Sequence, residues 1–143
     1  MQYKNYDNSI YIRFDKGDEV LDTIVRVCEL ENISTASFSG IGGCGEITVG
    51  TYNIEKQDYN TEHKTGTFEM LSINGNVTLN QEKPFVHAHA MFSYIDKDGD
   101  IKLIGGHLKQ AVISLTGEIV LNPVNAKIKR VKDKETGLNV WGF

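Results

Sequence analysis

Three of the four histidines in this 143-residue chain stand at spacings that can bring imidazoles together. His87 and His89 flank Ala88 in Val86-His87-Ala88-His89-Ala90, and His107 closes Gly105-Gly106-His107. Successive side chains of a strand point to opposite faces, so a strand over 85–95 projects both His87 and His89 from one face and Ala88 and Ala90 from the other. Two imidazoles one pleat apart can reach the same ion. The turn Asp96-Lys97-Asp98-Gly99-Asp100 then folds the chain back toward His107. If the hairpin loop holds three or five residues, position 89 lies opposite position 107. Opposed residues share a face, with Cβ atoms about 4.5–5.5 Å apart. A loop of two or four residues would turn His107 to the wrong face. Three same-face histidines resemble a zinc site with an open fourth position, the arrangement of catalytic rather than structural zinc. Spacing alone leaves two other readings open: a metal-free polar or acid–base pocket, and plain structural histidines. Gly105 and Gly106 would let backbone or ligand come close and are pocket-lining candidates.

Other chemistry-bearing residues form weaker patterns. Ser39-Gly40-Ile41-Gly42-Gly43-Cys44-Gly45-Glu46 superficially matches a phosphate-binding loop, but no Lys-Ser/Thr follows and the next segment has a β pattern. It reads as a tight turn whose glycines supply positive φ or close packing. Gly42, Cys44 and Glu46 are candidates to border a pocket. Glu46, Glu69 and Glu118 could each act as a general base, though spacing puts none of them beside the histidines. Asp96, Asp98 and Asp100 alternate as in a calcium loop, but the glycine falls at the fourth position and no glutamate closes the twelfth, so they read as a hairpin turn. Cys28 reads as core filling. Cys44 reads as structural, with a reactive or ligating thiol as the alternative. His63 reads as a solvated surface residue. Lys127-Ile128-Lys129-Arg130-Val131-Lys132 is a small basic run, diluted by Asp133 and Glu135.

The elements that must position these residues follow from periodicity. Leu21, Ile24, Val25 and Cys28 recur at one-three-four-seven spacing and predict one helix over Asp18–Leu30, capped by Asp18. Ile10–Phe14, Ser34–Ser39 and Glu46–Tyr52 read as strands, with a turn at Gly40–Gly45. Tyr52–Thr65 is polar and without period, an irregular connection. Thr67–Ile73 and Asn76–Leu79 read as a hairpin about Asn74-Gly75. Phe85–Ile95, Ile101–Leu108 and Ala111–Leu121 are further strands, with Pro84 and Pro123 outside them. One main helix and about seven or eight strands predict a single α+β domain over 1–143, built on an antiparallel-rich β-sheet.

The bulk numbers fit that reading. Apolar residues make up 40% and charged ones 24%, which suits a globular chain with a real core. The formal net charge of −4 supplies no general attraction to nucleic acid or anionic membrane. The first residues lack the apolar run of a signal peptide, and no segment is apolar for long enough to span a bilayer, so the expected address is cytoplasmic with no membrane partner. Two cysteines are too few for a disulfide scaffold.

The stretch Gly66-Thr67-Phe68-Glu69-Met70-Leu71-Ser72-Ile73-Asn74-Gly75-Asn76, then Pro84-Phe85-Val86-His87-Ala88-His89-Ala90, then Gly105-Gly106-His107-Leu108, resembles the plants-and-prokaryotes-conserved (PPC) domain in order and spacing. Gly40-Ile41-Gly42 fits as well, so the resemblance covers essentially the whole chain. It implies a fold similar to that of the acetolactate decarboxylases, which hold zinc with three histidines including a His-x-His pair. It also implies a homotrimer, and His87, His89 and His107 as zinc ligands. In plants the domain is attached to AT-hook DNA-binding proteins, and stand-alone bacterial and archaeal members carry a DNA-binding label. The Arg-Gly-Arg-Pro core of an AT-hook is absent here, and Arg13, Arg26 and Arg130 sit in no context that matches a decarboxylase arginine. The expectation is a zinc-binding PPC-domain protein whose open three-histidine site takes a small-molecule ligand or substrate, the reaction being unspecified. A DNA-binding or transcription-associated regulator with weak DNA affinity is the alternative, and an oligomerisation module with a vestigial site is the third reading.

Overall fold

The apolar positions between residues 20 and 30 do form a helix, Val20–Leu30 (α1), in the computed structural model, which describes residues 1–143. Val20, Thr23, Ile24, Val27 and Cys28 are buried, while Leu21 and Val25 lie at the edge of that stripe. The cap is Glu19 rather than the expected Asp18. Glu19 is extended, and its carboxylate accepts from Asp22 N–H at 2.7 Å and from Ala111 N–H at 3.0 Å. One side chain thus caps the helix and ties it to a strand. Asp18 instead accepts from Asp15 N–H at 2.8 Å and pairs with the Met1 ammonium at 2.9 Å.

Eight strands accompany the helix: β1 (Gln2–Tyr6), β2 (Ser9–Phe14), β3 (Ala36–Asn53), β4 (Asp58–Asn80), β5 (Lys83–Ile95), β6 (Ile101–Pro123), β7 (Lys129–Lys132) and β8 (Asn139–Gly142). They form one mostly antiparallel sheet in the order β1-β2-β6-β3-β4-β7-β8, with β5 pairing both β4 and β6. Because β3 also pairs β4 and β6, the strands β3 to β6 close a ring. The fold is α+β, as expected.

The divisions within the sheet differ from expectation. Ser34–Ser39 and Glu46–Tyr52 belong to one strand, β3, which passes through the glycines with bulges at Gly40/Gly42 and Cys44/Glu46. None of those glycines has positive φ. Tyr52–Thr65, read as irregular, contains the actual hairpin, since Tyr52 pairs with Tyr59 and β4 begins at Asp58. Asn74-Gly75 makes no turn: it lies inside β4, flanked by Ser39 and Phe38 on one side and His89 and Ala88 on the other. Ile101–Leu108 and Ala111–Leu121 are likewise one strand, β6. Pro84 is the second residue of β5 and Pro123 the last of β6, strand-end positions where a missing N–H is tolerated.

One continuous cluster of buried residues includes Ile24 and Cys28 from α1, Ile73 and Val77 from β4, Phe92 from β5 and Leu108 from β6. Complete burial of a side chain such as Phe92 contributes about 1.5–3 kcal/mol. That burial also settles the orientation of β5. Ala88, Ala90 and Phe92 face the core, so His87, His89 and Met91 face away from it.

The C-terminal segment, not foreseen as a pair of strands, forms the β7–β8 hairpin and lies along the edge of β4 in the sheet's one parallel pairing. Leu79 N–H donates to Ile128 O at 2.9 Å, and Ile128 N–H donates to Thr35 Oγ1 at 3.2 Å. The Tyr52 hydroxyl donates to the Thr136 carbonyl, linking this hairpin to the β3–β4 hairpin.

Candidate metal centre

The β5–β6 connection is a five-residue loop over 96–100, fixed at one end by Ile95 opposite Ile101. Asp96 shapes it: its Oδ1 accepts from Asp98 N–H at 2.9 Å and from Asp100 N–H at 3.0 Å. An odd loop length sets an even-sum register, and His89 lies directly opposite His107. Gly106 makes the final approach possible. Its φ is +149°, and a Cβ there would lie 2.6 Å from the Gly50 carbonyl oxygen, so β6 can sit against β3 only without a side chain. The next residue, His107, pairs with Gly50 on one flank and with His89 on the other.

The outcome is a triangle of imidazoles. Ring centroids are 5.4 Å apart for His87 and His89, 5.1 Å for His87 and His107, and 5.6 Å for His89 and His107. One nitrogen from each ring lies within 4.8 Å of the other two. Tetrahedral zinc with Zn–N bonds of about 2.0–2.1 Å needs ligand nitrogens roughly 3.3 Å apart, so the three rings would have to draw closer to hold it. His107 Nδ1 is buried without a hydrogen-bond partner. A buried polar atom left so costs free energy unless something occupies it.

Electrostatics hold two of the three rings neutral. Burial pushes His107 down to about 4, helped by His87, His89 and Lys109. Burial, then the Arg130 charge, then His89 lower His87. A neutral imidazole keeps the lone pair that a metal or a proton donor requires.

His87 and His107, but not His89, border a cavity of about 410 Å³, within the range of small-molecule sites. Its other walls are Tyr59, Asn76, Phe85, Arg130 and Gly137–Trp141. Larger clefts of about 690 and 610 Å³ lie at the β1–β2 end of the molecule and one of about 620 Å³ beside Tyr94 and Ile95, and none of them borders the histidines.

The remaining sequence candidates are spread elsewhere. Gly42 lines a separate recess with Leu71 and Leu115. Cys44 is fully buried in the core, its thiol pushed up to about 12 by burial, and Cys28 is the same. Glu46 lies 3.9 Å from His63 on the exposed flank of β3 and β4. A Cβ on Gly105 would lie 2.6 Å from the Ala90 carbonyl oxygen of β5. None of Gly42, Cys44, Glu46, Gly105, Gly106, Glu69 or Glu118 lines the cavity beside His87 and His107.

Of the cavity residues the sequence reading did not single out, two bear most directly on the histidines. Tyr59 stacks on His107 with centroids 4.4 Å apart, and it came from a segment that showed no strand period. Arg130 appeared as one cation in a basic run and as an arginine in no context that matches a decarboxylase arginine. In the structure it turns inward from β7, where Nε donates to Thr78 Oγ1 at 2.8 Å and Nη2 to Asn76 Oδ1 at 2.9 Å. Asn76 is opposite His87 and Thr78 opposite Phe85, so the β4–β5 register delivers the guanidinium to the histidine face. The signal for it was alternation in Ile128-Lys129-Arg130-Val131, which separates Arg130 from Lys129.

The Plants and Prokaryotes Conserved (PCC) domain model matches residues 1–125. Among curated proteins, none matches the chain. Among solved structures, a plant- and prokaryote-conserved protein from Pyrococcus horikoshii is 31% identical with a TM-score of 0.82, covering 99% of this chain and 94% of that one. A metal-containing protein from Archaeoglobus fulgidus is 29% identical with a TM-score of 0.85, covering 99% and 97%. A "Putative DNA-binding protein" from Ralstonia eutropha is 27% identical with a TM-score of 0.88, covering 99% and 95%.

Proposed function

This chain belongs to the Plants and Prokaryotes Conserved domain family, and within it we propose that the chain is a zinc-binding protein whose three-histidine site takes a small-molecule ligand or substrate. The observation that carries this reading is the triangle of His87, His89 and His107, with the partnerless Nδ1 of His107. Two of the rings are held neutral, and the donor set is all nitrogen, which suits zinc. The Archaeoglobus relative, named as metal-containing, supports it. Zinc in such a site supplies Lewis-acid chemistry, polarising an oxygen or acidifying a water. The chain's own contribution is to orient the three imidazoles, to stack Tyr59 against His107, and to wall the site with the β7–β8 hairpin.

The name of the Ralstonia relative favours a second reading, a DNA-associated regulator. The surface gives it limited support. Of the basic run, Arg130 is turned into the cavity and Lys129 pairs with Glu82, leaving Lys127 and Lys132. Any duplex binding through so few cations should be weak, sequence-independent and steeply lost with salt.

Metal analysis of protein prepared without a histidine tag, run beside a salt-dependent duplex titration, separates the two readings. About one zinc per chain is expected, with most of it lost in His89→Ala. Wild-type protein that stays metal-free in excess zinc would sink the metal reading. Tight, sequence-selective duplex binding at physiological salt would promote the second.

A further inference from the structure

The cavity beside the histidines holds one permanent cation and no acid. Its lining contains Arg130 but neither aspartate nor glutamate, and Arg130 forms no salt bridge. The guanidinium is held by neutral acceptors only: Thr78 Oγ1, Asn76 Oδ1 and, from Nη1 at 2.7 Å, the Asn139 carbonyl. Phe85 lies beneath it, with the guanidinium carbon 4.7 Å from the ring centroid. Those three bonds use one N–H on each nitrogen. A guanidinium carries five, so one N–H on each terminal nitrogen remains for a ligand. A bracing role for the hairpin would be served by the neutral bonds alone. It leaves unexplained why a permanent charge is partly buried beside imidazoles with nothing to neutralise it.

We propose that Arg130 is the anion-recognition group of this cavity, and that its ligand is a small organic acid. The carboxylate sits on the two free N–H groups of Arg130, and the apolar part lies along Phe85, Leu138 and Trp141. This deepens the small-molecule reading above by naming the ligand class, and it rests on that reading. A fixed guanidinium suits a planar oxyanion, and its orientation is set before the ligand arrives. Inorganic phosphate shares the charge but not the apolar body, and a cavity of about 410 Å³ walled by aromatic and aliphatic groups favours a carboxylate with carbon attached. Arg130 and the wall from Gly137 to Trp141 lie beyond residues 1–125, while Asn76, Thr78 and Phe85, which hold the guanidinium, lie within them, so the recognition site forms where the C-terminal hairpin meets the matched domain.

The test titrates butyrate, its neutral isostere butyramide, and inorganic phosphate into the full chain, both zinc-loaded and zinc-free. Calorimetry and the ¹⁵N–¹H resonance of Arg130 Nε are the readouts. Butyrate should shift that resonance and bind at least about tenfold more tightly than butyramide, the equivalent of one charge-assisted hydrogen bond. Arg130→Gln should lose about the same factor with zinc content unchanged. If Arg130→Gln does not fold, the wild-type resonance still decides. Butyrate that leaves the Arg130 signal unmoved, equal binding of butyramide, or a response to phosphate alone would overturn the proposal. Arg130-dependent butyrate binding in a protein that never takes up zinc would leave it standing and remove the metal reading instead. Zinc uptake with butyrate indifferent to Arg130 would do the reverse.

Discussion

At His107 a proton is unwelcome for reasons that belong to the folded state alone. Burial and two neighbouring imidazoles hold it at about 4, against an ordinary 6.5. Between those values the unfolded chain binds a proton that the folded chain refuses. Stability of the metal-free protein should therefore be intact above pH 6.5 and fall as pH drops toward about 4, with no further loss from this group below that. Urea unfolding at several pH values measures it. The wild-type midpoint should decline through that window, and His107→Gln should flatten the decline. A midpoint as steep in His107→Gln as in wild type would show that other groups dominate the acid response. The same local logic explains the thiols. Cys28 and Cys44 are as apolar in role as the Val and Ile around them, and Cys44 takes no part in the histidine site.

Among the elements, β4 shows most clearly what a local signal can and cannot report. Asn-Gly favours a hairpin because both residues accept positive φ. Here neither does, and the chain uses Gly75 for its missing side chain. A Cβ on Gly75 would lie 2.3 Å from Phe38 Cζ and 2.5 Å from the His87 carbonyl oxygen. The true β4–β5 turn is Gln81-Glu82, with φ of +51° and +63°, a pair of residues with no turn preference of that kind. Gly75→Ala should destabilise the protein by about 1–3 kcal/mol or more through overpacking, and should displace β5 with its histidines. Denaturant unfolding checks the first effect and zinc stoichiometry the second. An unchanged midpoint would mean that the Phe38 ring yields more easily than its burial suggests.

The whole molecule presents an apolar stripe that its own chain does not cover. Met91, Ile95, Ile101 and Leu103 are all exposed on the β5–β6 hairpin, and their register puts them on the face that carries His89. Leu71 of the neighbouring β4 and Leu115, farther along β6, are also exposed. A surface of this kind marks an interaction site, and self-association as a homotrimer, the state implied by the family resemblance, is the proposed occupant. Light scattering after gel filtration should give about three times the 16.0 kDa chain mass. Leu103→Glu should shift the protein toward monomer, because a desolvated carboxylate at an interface is costly. A wild-type monomer at micromolar concentration would refute the assembly.

What the sequence determined by itself is what rests on strict local periodicity. The pleat places His87 and His89 on one face, the 3.6-residue stripe makes α1, and His107 opposite His89 followed on the condition of an odd loop, which the structure meets with five residues. These need only neighbours within a hairpin or a helix turn. Tertiary structure decided everything that rests on distant chain. Whether Gly40–Gly45 turns or runs straight depends on β6 packing against it, and Asn74-Gly75 stays extended because Phe38 covers it. The partners of Arg130 lie 52 and 54 residues away on β4, and Tyr59 meets His107 across the sheet. No local pattern encodes such a meeting, because ring closure by β3 to β6 and the return of the β7–β8 hairpin are set by burial of the whole core. The histidine pair and its candidate third member were therefore legible in the sequence, while the cavity beside His87 and His107 was not.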